Sequence, residues 1–207
     1  MKLKVENLGC ERNDRYLFSG LSFELAGGEL IRVDGANGSG KTTLLRMVSG
    51  LLPVVEGIVC WGDRPIQKNR TDYMSELVFV GHKNGIKDEL TAEENLRIDH
   101  SLVGGQSGVS YTQALERLGI AQCQHQLCRH LSAGQRQRVA LARLLISMVR
   151  LWVLDEPLTA LDRSAQGIVR DLLEEHVGAG GMALITSHQD MDWQGSSQRT
   201  IRLDDAH

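Results

Sequence analysis

Eight consecutive residues, 35–42, have the types and spacing needed to hold a chain of phosphate groups. Their sequence, GANGSGKT, matches the pattern G-x-x-x-x-G-K-[ST] at every fixed position. The glycines let the backbone pass close to phosphate oxygens with its N–H groups turned inward, and the N-terminus of a following helix adds partial positive charge. Lys41 is predicted to reach the β- and γ-phosphates, and the Thr42 hydroxyl is predicted to hold Mg²⁺.

Two carboxylates follow the apolar segment 151–154, which is predicted to be a buried strand. Ligands of open α/β sheets lie at the carboxyl ends of strands, which is where Asp155 and Glu156 stand. Asp155 is therefore predicted to hold Mg²⁺ through a water, and Glu156 to polarise an attacking water. The alternative is that the pair only caps the next helix, although unpaired carboxylates at the end of a buried strand are costly.

A second anion-binding surface is predicted at Ser132, a good N-cap, and at the N-terminus of the helix expected over 136–147. One domain does not need two phosphate-facing helix ends for one nucleotide. The economical interpretation is a head-to-tail dimer, in which this segment covers the nucleotide bound to the partner. The simpler alternative is an ordinary capped helix.

The elements that must position these groups alternate between strand and helix at both ends of the chain and are helical in the middle. This pattern predicts an α/β core with a helical insertion. Helices are expected over 43–48, from a capping box at Thr91 and Glu94, and over 111–118 and 162–176. Strands are expected at 2–8, 21–25, 30–33, 57–62, 77–80, 151–154 and 182–186.

Length and charge restrict the functional classes. A chain of 207 residues fits one large domain, and a net charge of −3 gives no global basic character for nucleic-acid binding. The longest apolar stretch, 139–154, is interrupted by Arg143 and Arg150, and the first residues alternate like a strand instead of forming a signal-peptide core. We therefore expect a cytoplasmic chain without direct membrane insertion and without direct contact with nucleic acid.

The four cysteines, Cys10, Cys60, Cys123 and Cys128, contain no C-x-x-C pair. His125 and His130 lie close to the last two, so a metal or heme site is an alternative to be weighed. The favoured interpretation is free thiols in a reducing compartment.

These motifs, in this order, resemble the nucleotide-binding domain of ATP-binding cassette (ABC) transporters from end to end. Besides the phosphate loop and the Asp155–Glu156 pair, residues 131–135 are similar to the family's LSGGQ signature, with Ala133 in place of a glycine. Residues 160–162 resemble its D-loop, and residues 186–188 its switch segment, in which His188 would contact the γ-phosphate. The resemblance implies an ATPase that works as a nucleotide-sandwich homodimer.

The resemblance also implies a fold and a complete site. The expected fold is an α/β P-loop NTPase of ABC ATPase type: a RecA-like core with an antiparallel β subdomain (1–83 and 149–207) and an inserted helical subdomain (about 84–148), all within one domain, 1–207. The implied catalytic residues are Lys41, Glu156 and His188, and the implied Mg²⁺ ligands are Thr42 and Asp155. The implied ATP-binding residues are Gly35, Ala36, Asn37, Gly38, Ser39, Gly40, Lys41, Thr42 and Thr43, together with Ser132, Gly134 and Gln135.

Two positions depart from the family pattern. His82 stands where the family has a glutamine after the strand at 77–80, and a neutral imidazole is a poorer Mg²⁺ ligand than an amide oxygen. Arg12 stands where the family has an aromatic residue that stacks on adenine, so stacking by its guanidinium plane or a loosely held base are the alternatives.

Segments 17–23, 32–40 and 81–90 further resemble the ATP-binding subunits of heme exporters in cytochrome c maturation. This implies multi-spanning inner-membrane partners in a heme-handling complex, and a peripheral location on the cytoplasmic face of the bacterial inner membrane. Three alternatives remain at this point: the ATPase of another small exporter, a soluble ABC ATPase acting on nucleic acid or ribosomes, and a nucleotide-gated module without hydrolysis. Intact Glu156 and His188 disfavour the last.

Overall fold

Two β-sheets form the framework of the computed structural model, which describes residues 1–102, 107–187, 193 and 197–203. The larger sheet is parallel, with strand order β6-β7-β8-β3-β9, and the smaller is antiparallel, with order β2-β1-β4-β5. The strands are β1 (Lys2–Glu11), β2 (Tyr16–Ala26), β3 (Glu29–Asp34), β4 (Glu56–Trp61), β5 (Arg64–Pro65), β6 (Leu77–Val80), β7 (Leu151–Asp155), β8 (Met182–Thr186) and β9 (Gln198–Arg202).

The central strands of the parallel sheet are apolar because helices or the second sheet cover both of their faces. Every residue of β7 and β8 is buried, as is typical of parallel strands. In a parallel sheet the carboxyl ends of all strands lie at the same end of the sheet, so the segments that follow β3, β6, β7 and β8 lie side by side. The phosphate loop, His82, Asp155 and Thr186 all lie at this carboxyl end of the sheet.

The helices are α1 (Lys41–Val48), α2 (Arg70–Met74), α3 (Ala92–Leu102), α4 (Tyr111–Arg117), α5 (Ala133–Ile146) and α6 (Arg163–Gly178). Local capping fixes several of their starts. Ser132 and Gln135 form a reciprocal capping box, so α5 begins at Ala133 and not at Arg136 as expected. Asp162 caps α6 through its contact with the backbone N–H of Ala165.

Two hydrophobic clusters lie on opposite sides of the parallel sheet. One joins β1, β2 and β4 to α1, and the other joins α3–α6 to the facing side of the sheet. The second cluster includes Val80 and Leu154 of the core as well as Leu96 and Leu141 of the helical segment. The division of the chain into a core and a helical subdomain stays a prediction. In this cluster, side chains of the two predicted subdomains pack against each other.

Sequence analysis missed β9, which pairs in parallel with β3 at the edge of the larger sheet. Its residues are half-buried or exposed, so its apolar signal is weak. In the part of the chain that the structure describes, no helix is both long and apolar enough to cross a bilayer.

Candidate nucleotide-binding site

The phosphate loop joins β3 to α1, the strand–loop–helix order that its sequence predicts. Gly38 and Gly40 have backbone φ angles of 86° and 99°, which residues other than glycine rarely adopt. At Gly40 a Cβ atom would also stand 3.1 Å from the Leu17 side chain and from the Phe18 ring. Glycine is therefore required there both by the backbone conformation and by close packing.

Polar donors converge on the loop. The Lys41 ammonium donates to the carbonyl oxygens of Gly35 at 2.6 Å and Ala36 at 3.1 Å, so it lies folded over the loop. The Ser39 hydroxyl is buried and has no hydrogen-bond partner among the described residues. A cation and an unsatisfied buried hydroxyl in one glycine-rich loop fit an anionic ligand, since each would gain a charge-assisted hydrogen bond.

A hydroxyl–carboxylate network links the loop to the ends of β7 and β8. Thr42 Oγ1 donates to Asp155 Oδ2 at 2.8 Å, and Thr186 Oγ1 donates to Asp155 Oδ1 at 2.9 Å. The backbone N–H of Glu156 in turn donates to Thr186 Oγ1 at 2.9 Å. Asp155 is only 2% exposed. Hydroxyl and carboxylate oxygens are the donor types that suit Mg²⁺, so Thr42 and Asp155 fit this ion chemically.

Glu156 has an unusual backbone conformation, with φ at 54°. A residue other than glycine in this region costs of order 1 kcal/mol or more, and such residues cluster at functional sites. Its side chain lines the same cavity as Lys41 and Thr42. The carboxylate-bearing residue Glu156 therefore combines a strained backbone with a position in the cavity of the phosphate loop, and its role as a base stays a prediction.

The cavity beside the loop has a volume of about 440 Å³. Arg12 and His82, the two residues that differ from the family pattern, line it together with residues of the loop. Leu17 and Thr159 also line it, and sequence analysis did not single them out. The Thr159 N–H donates to the Glu156 carbonyl at 3.2 Å within one turn. Pro157 stands at the second position of this turn, where proline is a common turn signal, but only the structure shows that Thr159 lines the cavity.

The signature residues lie away from this cavity. Ser132 and Gln135 cap α5, and none of Ser132, Gly134 and Gln135 lines the cavity. A Cβ at Gly134 would stand 2.6 Å from the Ala160 carbonyl oxygen, so the signature packs directly on the segment that resembles the D-loop. His188 lies outside the described residues, and its predicted contact with the γ-phosphate stays a prediction.

The cysteines near His125 and His130 are built into the helical packing. Cys123 and Cys128 are buried, and the Asn95 amide donates to Cys128 Sγ at 3.3 Å. Burial raises the pKa of both thiols. Within the described part of the chain, no group of three or more histidine, cysteine, aspartate or glutamate residues is arranged to hold a metal ion.

Comparison with known proteins identifies the family. The model of the ABC transporter family matches residues 18–159, more than half of the chain. The chain belongs to the ABC transporter family. The cytochrome c biogenesis ATP-binding export protein CcmA of Nitrosococcus oceani is 52% identical over 187 residues, with 90% of this chain and 86% of that protein covered. The protein of the same name from Methylococcus capsulatus is 48% identical over 202 residues, with 97% of each covered.

Solved structures agree on the fold. The structure of an ATP-binding subunit of an ABC transporter superposes with a TM-score of 0.81 at 22% identity, covering 91% of this chain and 80% of that one. The expected fold class, an ABC-type α/β P-loop NTPase, is therefore confirmed. This member of the ABC transporter family binds ATP and hydrolyses it.

His82 gives a prediction specific to this ABC ATPase, because its side chain lines the nucleotide cavity at the family's glutamine position. His82→Gln is expected to retain ATPase activity, since an amide oxygen can take the place of a ring nitrogen near the predicted Mg²⁺ position. His82→Ala is expected to lower the activity of the protein in its complex more than its basal ATPase. Phosphate release by the isolated chain and by the complex measures both, and equal values for all three proteins would contradict a special role.

Proposed function

We propose that this chain is the ATP-hydrolysing subunit of a membrane complex that exports or releases heme for cytochrome c biogenesis. One observation carries the proposal: 52% identity over 90% of the chain to a protein named as a cytochrome c biogenesis ATP-binding export protein. The phosphate loop, Asp155 and Glu156 supply the residue types that hydrolysis needs.

Each group has a proposed role in hydrolysis. Lys41 would leave the loop carbonyls and bind the β- and γ-phosphates, and Ser39 would donate to a phosphate oxygen. Thr42 and Asp155 would hold Mg²⁺, which neutralises charge on the phosphates when bound. Glu156 would accept a proton from the attacking water, and Thr186 would keep Asp155 oriented through the 2.9 Å hydrogen bond. His188 would contact the γ-phosphate.

The active form that we propose is a head-to-tail homodimer, in which Ser132, Gly134 and Gln135 cover the nucleotide of the partner subunit. Three features support it. The signature residues do not line their own chain's nucleotide cavity, they stand at the N-terminus of the 14-residue helix α5, and Gly134 packs on Ala160. A helix N-terminus is suited to bind a phosphate presented from outside.

Ser132→Arg tests the dimer. Ser132 is exposed, so arginine meets no packing clash, and loss of the Ser132 cap on α5 should cost only about 1 kcal/mol of stability. The fold and ATP binding by the single chain should therefore be kept. A bulky cation at the start of α5 should block the facing phosphate site and abolish hydrolysis. Thermal melting, ATP titration and phosphate release give the three measurements. Full hydrolysis by this variant would contradict the sandwich arrangement.

We also propose where a membrane-spanning subunit docks. A groove of about 380 Å³ lies between the end of α1, β6 and the helices α3 and α5. Its lining is mostly apolar, including Leu51, Met74, Phe79 and Ile146, and Leu51 is 43% exposed. The occupant that we propose is a short apolar cytoplasmic helix of the membrane subunit, which would cover the exposed parts of Leu51, Met74 and Phe79. The chain would then lie on the cytoplasmic face of the inner membrane.

Complementation tests the proposed function. A bacterium that makes c-type cytochromes and lacks this gene should lose covalently attached heme, as detected by heme staining of membrane proteins. The wild-type gene should restore staining, and Glu156→Gln should not. Normal staining in the deletion strain, or restoration by the inactive variant, would overturn the proposal.

The groove gives a matched pair of variants for the same assay. Leu51→Glu places a charge in the groove and is expected to abolish restoration while leaving ATP binding unchanged. Val55→Glu is the control, because Val55 is 92% exposed and lies outside the groove. Restoration by both variants would exclude docking at this groove.

A further inference from the structure

The loop that follows β6 connects the nucleotide cavity to the helical segment. His82, at its start, lines the cavity. Farther along, Asn95 of α3 holds Lys87 from both sides, accepting its N–H at 2.8 Å and donating to its carbonyl at 3.1 Å. The loop ends where Leu90 accepts the N–H of Cys128 at 2.9 Å. The loop is therefore attached to the nucleotide cavity at its start and to the helical segment along the rest of its length.

Arg143 of α5 holds the middle of this loop. Its guanidinium donates to the Asn84 carbonyl at 2.7 Å, and its Nε lies 3.5 Å from Asp99 Oδ2 of α3. The Arg143 and Asp99 side chains are only 15% and 25% exposed. One guanidinium thus links three elements: the loop after β6, α3 and α5. A planar, always charged fork suits such a bridge better than lysine would.

The same pair lies in the groove that we assign to the membrane subunit, since both Asp99 and Arg143 line it. Burial raises the pKa of the Asp99 carboxyl, and Arg143 and Lys87 oppose this shift. Arg143 therefore stabilises the ionised form of the Asp99 carboxyl. Without Arg143, this negative charge would lie partly buried and without its ion-pair partner, which is energetically costly.

The helix that carries Arg143 also contacts the nucleotide site at its other end. Gly134 packs against the Ala160 carbonyl, and the Gln137 amide donates to the Pro157 carbonyl at 3.2 Å. Pro157 directly follows Glu156. Helix α5 is thus attached to the segment after Glu156 at its start and to the loop after His82 in its second half.

We propose that Arg143 is a positioning residue that couples the nucleotide cavity to the groove by bridging the loop after β6 to Asp99. The bridge makes a shift of the His82 loop move α3, and so changes the groove that receives the partner. This inference rests on the proposed function, because that function names the partner that docks in the groove. It also requires ATP binding, because binding is the event that would shift the loop. The proposed coupling runs through a partly buried ion pair, Arg143–Asp99, and not through the residues that line the nucleotide cavity.

Hydrogen exchange of the isolated chain, with and without Mg²⁺ and a non-hydrolysable ATP analogue, tests the coupling. In the wild type the analogue is expected to change exchange in two segments, 83–88 and 96–100. In Arg143→Met the change at 83–88 should persist and the change at 96–100 should become clearly smaller, with analogue affinity retained. Part of that change should remain, because Asn95 still links the loop to α3 through Lys87. Asp99→Asn should give the same reduction, and the double variant should lose nothing more, because both substitutions break one bridge.

Arg97→Met is the matched control, because Arg97 lies on α3 two residues from Asp99 but pairs with Glu93 on the helix surface. This variant should keep both changes. If Arg143→Met does not fold, as shown by thermal melting, Asp99→Asn carries the test. The inference is overturned if the wild type shows no change at 96–100, if both bridge variants keep this change at its full size, or if the control reduces it. A wild-type chain that binds no analogue would instead refute ATP binding.

Discussion

Lys41→Ala is expected to weaken ATP binding by about 10- to 150-fold, the equivalent of about 1.5–3 kcal/mol for hydrogen bonds to a charged group. In the structure the ammonium already lies over the loop, donating to the Gly35 and Ala36 carbonyls at 2.6 and 3.1 Å. The substitution removes the one side-chain cation of the loop. Turnover should fall further, since charge on the transferred phosphoryl group loses its counter-charge.

Titration with a fluorescent ATP analogue and phosphate release measure the two effects. Lys68→Ala is the control, because Lys68 is exposed on a short 3₁₀ turn and does not line the nucleotide cavity. Thermal melting separates loss of binding from loss of fold. Wild-type affinity and turnover in Lys41→Ala would refute the assignment of the phosphate loop.

Glu156→Gln is expected to leave ATP binding intact and to slow hydrolysis by about 10²- to 10⁴-fold, the usual contribution of a general base. Glutamine keeps the size of the side chain but cannot accept the proton of the attacking water. The hydrogen bond from the backbone N–H of residue 156 to Thr186 should be kept, because it does not involve the side chain. ATP should therefore stay bound, and the closed dimer should accumulate.

Phosphate release measures the rate, and light scattering with Mg²⁺ and ATP measures the dimer. Glu116→Gln on the exposed face of α4 serves as the control and should behave like the wild type in both assays. Hydrolysis at the wild-type rate in Glu156→Gln would assign the base to another residue. Slow hydrolysis without accumulation of the dimer would support Glu156 as the general base and would contradict the nucleotide-sandwich dimer.

Features formed by neighbouring residues were predictable from the sequence. The loop 35–42, the capping boxes at Thr91 and Ser132, and the buried strands β6, β7 and β8 depend on residue type and short spacing. The family followed from the order of the motifs, and the comparisons confirm it. The weakly apolar β9 could not be predicted, because its position comes from pairing with β3.

Contacts between distant residues were decided by the tertiary structure. Thr42 and Asp155 are 113 residues apart and meet because the strand order places β8 beside β3 and β7 next to β8. The same order brings His82 into one cavity with Lys41, and the packing of the antiparallel sheet adds Arg12. The packing of α5 against α3 and the loop after β6 places Arg143 between Asn84 and Asp99. Sequence alone determined which chemical groups this protein has, since local patterns encode them. Only the packing of the sheet and of α5 decided which of them act together.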